Sequence, residues 1–301
     1  MHNEEESIAA FFDRLLPVLD ALGDAFEIVC VNDGSRDATL EALIAARQKE
    51  PRIRILDLSR NFGKEAALTC GIDHARGGAV IPIDADLQDP PELIAEMMRL
   101  WRQGFDVVLA QRVDRGSDHV LKRKMAEWFY RLHNMISEPS IPPNVGDFRL
   151  MDRKVVDALK SLPERRRFMK GLFAWVGFRQ ATIPYAREPR HAGKSKFSGW
   201  RLWNFALEGI TSFSTAPLRV WTYLGLAIAL AAFFFGAFIV GQVLLLGRDL
   251  PGYASLITVV LFLGGVQLIG LGILGEYLGR IYSETKGRPI YIVRDRFDDA
   301  A

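Results

Sequence analysis

Apolar and polar positions alternate on two different periods through the first half of the chain, and the pattern then changes character. Phe26–Asn32 (F-E-I-V-C-V-N), Ile53–Ser59, Ala79–Ile83 and Asp106–Ala110 are short runs rich in Val and Ile, and read as buried strands. Between them, Asp37–Glu50, Gly63–Arg76 and Pro91–Gln103 carry helical spacing. Asp37 suits a helix N-cap, and Pro91 suits a first helical position. Strand and helix in alternation predict a mostly parallel sheet with helices on both faces. Ligands in such folds bind beyond the carboxyl ends of the strands. The polar clusters fall there: Asn32-Asp33-Gly34, then Asp84-Ala85-Asp86, then Arg112. The chain itself opens on M-H-N-E-E-E-S-I and goes straight into a helix. A domain of this type opens with a strand, so the first strand is expected to be missing or to lie ahead of Met1.

Further along, Trp221–Leu246 and Tyr253–Gly275 are uncharged runs, each long enough for the roughly 20 residues that a membrane crossing takes. The link Gly247–Gly252 is short and holds Arg248 and Asp249. The pair predicts a membrane hairpin; the bland alternative is two core helices. Basic residues flank it, from Arg187 to Arg219 before and from Arg280 to Arg296 after, so the positive-inside rule puts both ends in the cytoplasm. Two further stretches have amphipathic stripes. In Leu121–Ile136 the stripe is Leu121, Met125, Trp128, Leu132 and Met135; in Gly199–Phe213 it is Trp200, Trp203, Leu207 and Ile210. Each suits the headgroup layer or, alternatively, the protein core. The expected division is a catalytic domain over 1–198, a juxtamembrane helix over 199–218, a hairpin over 219–280 (about 221–246 and 253–275) and a tail over 281–301.

Composition changes this picture little. The 301 residues are 25% charged and 49% hydrophobic, averages that hide the split between a charged front and an apolar rear. A net charge of +2 without a basic stripe gives nucleic-acid binding no support. Cys30 and Cys70 sit in apolar runs and read as buried free thiols of a reducing compartment. Met1–Ser7 is polar and acidic, unlike a signal peptide, so the soluble part is expected to stay cytoplasmic.

The chemistry-bearing residues are mostly acidic. Asp84-Ala85-Asp86, extended to D-A-D-L-Q-D-P after a strand, can share a divalent cation with a diphosphate. Hard oxygen ligands suit Mg²⁺ or Mn²⁺, and Gln88 adds a neutral oxygen. Asp89, ahead of two prolines, reads as a helix cap. Asp33 in V-N-D-G-S can accept hydrogen bonds from a base or ribose, though the same tetrad also favours a plain turn. Asp147 in N-V-G-D-F-R-L-M is the candidate base or orienting group for an acceptor; the alternative is a structural contact with Arg149. A phosphate acceptor is already ionised, so it needs no strong base. Arg112, Arg149, Lys194 and Lys196 are candidate phosphate binders, the two lysines in the small-residue stretch H-A-G-K-S-K-F-S. R-N-F-G-K-E at Arg60–Glu65 opens a helix whose N-terminus can favour an anion or simply pack. The five histidines lack metal spacing, and no nucleophile paired with His is visible.

Together these residues resemble the family 2 glycosyltransferases of GT-A fold, specifically the polyprenyl-phosphate glycosyltransferases. The bacterial bactoprenol glucosyltransferases look nearest, and dolichol-phosphate mannose synthase is more distant. The matching stretches are V-N-D-G-S, R-N-F-G-K-E, D-A-D-L-Q-D-P, Lys122–Tyr130, G-D-F-R-L-M, Ser212–Arg219, the hairpin and Leu274–Tyr282, which together span the chain. The resemblance implies transfer of a sugar, glucose before others, from a UDP-sugar to undecaprenyl or another polyprenyl phosphate, with inversion by direct displacement. It implies Asp33 at the nucleoside, Asp84 by the donor, Asp86 and Gln88 on the metal, and Asp147 near donor sugar and acceptor phosphate. It also implies Arg112, Lys194 and Lys196 near phosphates, a bacterial inner-membrane site and a homo-oligomer such as a tetramer. A processive polysaccharide synthase would carry more membrane helices and a Q-x-x-R-W motif, and the sequence has neither. The remaining alternative is a truncated, non-catalytic membrane relative, because the family's opening strand ends V-P-x-Y-N-E and only His2-Asn3-Glu4 match here.

Overall fold

A computed structural model describes residues 1–113, 144–165, 167–186, 216–246 and 252–298. Leu121–Ile136, Gly199–Phe213, Lys194 and Lys196 lie outside the described residues. The chain divides into two units, Met1–Gly209 with Gly287–Ala301, and Ile210–Lys286.

In the first unit α1 (Glu5–Leu22) buries Ile8, Phe11, Phe12 and Leu15, the i, i+3, i+4, i+7 stripe of a helix with one apolar face. It packs on α2 (Thr39–Lys49) and α4 (Leu93–Arg102). Strands β1 (Ile28–Asn32) and β2 (Ile53–Leu58) run parallel, joined through α2. Every residue of β2 is buried, Arg54 and Asp57 along with the four aliphatic ones, as in a strand covered on both faces. Helix α3 (Lys64–His74) follows, then β3 (Ala79–Val80). The sequence predicts β3 to Ile83, but the ladder stops at Val80. Pro82 has no N–H to donate to a ladder, and the acidic turn begins directly after it.

Strands β4 (Val107–Arg112), β5 (Val145–Asp152) and β6 (Gln180–Tyr185) complete a four-stranded sheet in the order β3-β5-β4-β6. Helices α5 (Arg153–Ser161) and α6 (Met169–Trp175) lie between β5 and β6. Near the C-terminus β7 (Val293–Phe297) pairs with β2, giving a three-stranded sheet β1-β2-β7. The expectation of a mostly parallel sheet is corrected. Only β1–β2 and β4–β6 are parallel among the described pairings, whereas β2–β7, β3–β5 and β4–β5 are antiparallel. Strand–helix alternation signals parallel crossovers only; β5 and β7 carry charges (V-G-D-F-R-L-M-D and V-R-D-R-F) and leave no apolar run to read.

The second unit is two long helices, α7 (Ala216–Leu246) and α8 (Tyr253–Thr285). Val220–Phe238 and Phe262–Thr285 are long and apolar enough to cross a membrane. Large side chains such as Phe233, Phe234, Phe262 and Leu268 face outward. Trp221 lies against Gly270, where any side chain would collide with the indole, so a small residue lets the two helices approach.

Candidate active site

The site assembles at the carboxyl ends of β1 and β4, together with the turn after β3 and the start of β5. Asp33 follows β1 and is buried. Its Oδ1 accepts the Phe62 N–H at 2.7 Å and its Oδ2 the Gly63 N–H at 3.0 Å. The carboxylate therefore braces the R-N-F-G-K-E loop at the entry to α3, satisfying N–H groups that precede the helix. Gly34 lies at φ 59°, and a Cβ there would press on the Arg60 backbone, with Arg60 Cα at 2.8 Å. The two loops touch because this position has no side chain. Residues Met1–Asn3 run beside the end of β1: the Met1 amine donates to Val31 O at 2.8 Å, and the Asp33 N–H donates to Met1 O at 2.9 Å.

Lys64, the first residue of α3, reaches across the cleft. Its Nζ lies 2.7 Å from Asp84 Oδ2 and 2.8 Å from Asp147 Oδ2. One ammonium thus joins the D-A-D turn to strand β5. Burial works against the Lys64 charge, but the two carboxylates outweigh it and hold the ammonium above the ordinary lysine range. Burial would likewise push the Asp147 carboxyl up; Lys64, then Lys170 and Arg149, hold it below the usual carboxylate range. Next to them, burial and the Asp147 charge push Glu65 up to about 7, while its Oε2 accepts the Met169 N–H at 3.0 Å.

Arg149 is buried under the same edge. Its Nη2 donates to Gly146 O at 2.6 Å, and its guanidinium lies over the Phe173 ring, 4.1 Å from the centroid. Burial lowers its pKa to about 10, which still leaves it charged at neutral pH. Its Nε has no hydrogen-bond partner among the described residues. Asp86 Oδ1 accepts the Gln88 N–H at 3.1 Å, a tight turn that carries Leu87 at φ 57°. The N-cap position of α4 falls on Glu92, three residues beyond Asp89. Asp89 is buried and accepts from the Tyr185 hydroxyl, which in turn accepts from Arg112 Nε at 3.1 Å. The buried carboxylate takes the hydroxyl as partner, with the Arg112 guanidinium 3.9 Å away.

Residues 1–160 match the family described as glycosyl transferase family 2, and residues 216–281 match the GtrB C-terminal hairpin. An uncharacterized glycosyltransferase of Synechocystis is 57% identical, covering 98% of this chain and 93% of its own. A bactoprenol glucosyl transferase of Shigella phage SfV is 55% identical, covering 97% of this chain and 95% of its own. A prophage bactoprenol glucosyl transferase homolog of Escherichia coli is 53% identical over 97% of this chain and 95% of its own. The chain belongs to the family 2 glycosyltransferases.

In this family 2 glycosyltransferase, the residues singled out from sequence separate into groups. Asp84 and Asp147 meet on Lys64. Arg112 stands with Asp89 and Tyr185. Arg149 lies beneath the cleft, and Asp33 is committed to the loop beside it. Lys64 and Tyr185 are the residues of this cleft that local reading did not single out. Lys64 sits inside R-N-F-G-K-E, but nothing in that run says which carboxylates it meets. Cys30 and Cys70 are buried free thiols as expected, and burial pushes each up to about 12, too high for a nucleophile.

For a divalent cation the donor set is hard oxygen. No group of three His, Cys, Asp or Glu able to hold a metal occurs among the described residues, and Asp84 is taken up by Lys64. Asp86 with the amide oxygen of Gln88 fits an ion that takes one or two protein oxygens and completes its shell with substrate phosphates and water, as Mg²⁺ or Mn²⁺ does.

Proposed function

We propose that this transferase moves glucose from UDP-glucose to undecaprenyl phosphate or a similar polyprenyl phosphate, at the cytoplasmic face of a bacterial inner membrane. The observation that carries the chemistry is the joining of Asp84 and Asp147 on one ammonium, which brings a donor-side and an acceptor-side carboxylate into one cleft. The relatives named bactoprenol glucosyl transferase support the choice of sugar and lipid, since the identity runs through both the site and the hairpin. The exposed apolar helices α7 and α8 supply an anchor suited to a lipid acceptor.

An oxygen of the acceptor phosphate attacks the anomeric carbon of the sugar. The bond from that carbon to the diphosphate breaks, nucleoside diphosphate leaves, and the configuration inverts. The acceptor is already an anion, so Asp147, kept ionised by Lys64, orients the acceptor and sugar rather than stripping a proton. Asp33 and its turn seat the nucleoside. Arg112, Arg149, Lys194 and Lys196 oppose phosphate charge, the guanidinium groups as forks and the ammonium groups as points. A divalent cation on Asp86 and Gln88, Mg²⁺ or Mn²⁺, would neutralise the departing diphosphate. Self-association into an oligomer belongs to the same reading.

The test is transfer of labelled glucose from UDP-glucose to undecaprenyl phosphate by the purified full chain in lipid nanodiscs. Labelled lipid should form, vanish with a chelator and return with Mg²⁺ or Mn²⁺. Asp86→Ala should lower kcat by at least about 100-fold, as loss of charge stabilisation at a leaving group does. Undiminished transfer by Asp86→Ala refutes the metal assignment, and no transfer to any polyprenyl phosphate refutes the function.

A further inference from the structure

The C-terminal strand reaches into the frame of the nucleoside turn. In the β2–β7 ladder Asp57 faces Asp295 and Leu58 faces Val293, so Arg294 is the extra residue of a β-bulge. A bulge re-aims a side chain, and bulges are enriched next to active sites. Here the Arg294 guanidinium is turned onto Asp57: Nε donates to Oδ2 at 2.8 Å, and Nη2 donates to the same oxygen. Asp57 is 0% exposed, next to the carboxyl end of a wholly buried strand.

The other oxygen of Asp57 points toward the donor side. Its Oδ1 accepts from Asn32 Nδ2 at 2.8 Å. That bond fixes which end of the Asn32 amide is the donor. The amide oxygen is then left to accept from Ser35 Oγ at 2.5 Å and Ser35 N at 3.3 Å. Ser35 Oγ in turn accepts the Asn3 N–H at 3.0 Å. The turn is therefore closed by a chain of hydrogen bonds that begins on β7. The same strand also holds the facing loop, because Ile292 O accepts the Ser59 N–H at 2.9 Å immediately ahead of Arg60–Gly63. The two segments that meet at Gly34 and share the Asp33 carboxylate are both braced from behind by residues 292–294.

A carboxylate in a wholly buried strand is costly, and a well-packed apolar residue would serve stability at least as well. Asp57 spends its two oxygens on one cation and one turn residue, an arrangement that sets geometry. We propose that Arg294 is a positioning residue for the donor nucleoside, acting through Asp57 and Asn32 on the Asn32–Ser35 turn. The proposal rests on the reading of that turn as the seat of the nucleoside.

Titration calorimetry of UDP into the purified full chain, with Mg²⁺ present, separates the two claims. Asp33→Ala should weaken UDP severely. Arg294→Gln should raise the Kd for UDP and the KM for UDP-glucose about tenfold, the worth of one hydrogen bond to a charged group. Its kcat at saturating donor and its KM for undecaprenyl phosphate should stay within about twofold of the parent. Arg294→Lys should recover part of the UDP affinity. Combining Asp57→Asn with Arg294→Gln removes the buried charge, and should restore thermal stability without restoring affinity. If Asp33→Ala binds UDP as the parent does, the nucleoside sits elsewhere and the site reading falls. If Asp33→Ala is weakened but Arg294→Gln keeps the parent Kd, the positioning role is overturned and the site reading stands. A loss of stability and kcat in Arg294→Gln with Kd and KM unchanged marks the residue as structural only, and also overturns the proposal.

Discussion

Two carboxylates on one ammonium make a cleft whose charge state is set by a single side chain. Without Lys64, Asp84 and Asp147 would face each other as like charges, and burial would push the Asp147 carboxyl up. With Lys64 in place, the folded-state pKa of Asp147 lies below the ordinary carboxylate value. The ionised form therefore persists as pH falls, and the acid limb of the pH–rate profile should lie below the usual carboxylate range. In Lys64→Met burial and the facing Asp84 charge meet only the weaker fields of Lys170 and Arg149, so that limb should move to higher pH. The kcat should drop about 10- to 100-fold with the loss of preorganised charge. Initial rates across pH for the two proteins decide it; an acid limb that stays put would mean Lys64 is not the partner of Asp147 in solution.

At the scale of elements, the donor side depends on two loops that lean on each other. Gly34 is the contact, with positive φ and no room for a Cβ. Gly23, at the end of α1, also has positive φ, but nothing lies within 4 Å of where its Cβ would be. Gly23→Ala should therefore cost only backbone strain, about 1–2 kcal/mol. Gly34→Ala adds a backbone collision, and should lower the melting temperature further and weaken UDP binding, which Gly23→Ala leaves intact. Equal thermal shifts in the two variants, with UDP affinity unchanged, would remove the loop contact from the argument. Hydrophobic period located β1, β2 and α2–α4 to within a few residues, because those elements bury continuous apolar runs or faces. The Asp37 capping role shifted outward: Asp37 Oδ1 accepts from the Thr39 N–H at 3.2 Å and its hydroxyl at 2.6 Å, ahead of a helix that starts at Thr39. Strands β5 and β7 were missed because the charges spread through V-G-D-F-R-L-M-D and V-R-D-R-F leave no apolar run.

For the whole molecule, charge rather than packing predicts an orientation in a membrane. Basic residues cluster on both flanks of the hairpin, while the link at 247–252 holds one Arg and one Asp. Flanks and link should lie on opposite sides of the bilayer. The two native cysteines are buried, so a single introduced thiol can report its side. In intact cells with permeable outer envelopes, Arg248→Cys should react with a membrane-impermeant maleimide. Arg288→Cys should react only after the inner membrane is opened. The reverse pattern would invert the topology and put the catalytic unit outside the cell.

Neighbouring residues in the chain were sufficient for the family and the two apolar spans. The family was legible as a resemblance carried by several short motifs, and each span as one long uncharged run. Tertiary structure alone decided that Lys64 joins Asp84 to Asp147, that Asp89 belongs to Tyr185 and Arg112, and that β7 closes on β2 behind the Asn32–Ser35 turn. Those pairings link residues far apart in the chain. An ammonium or a carboxylate finds its partner by distance in space, and distance in space is fixed only once the strands have chosen their neighbours and register.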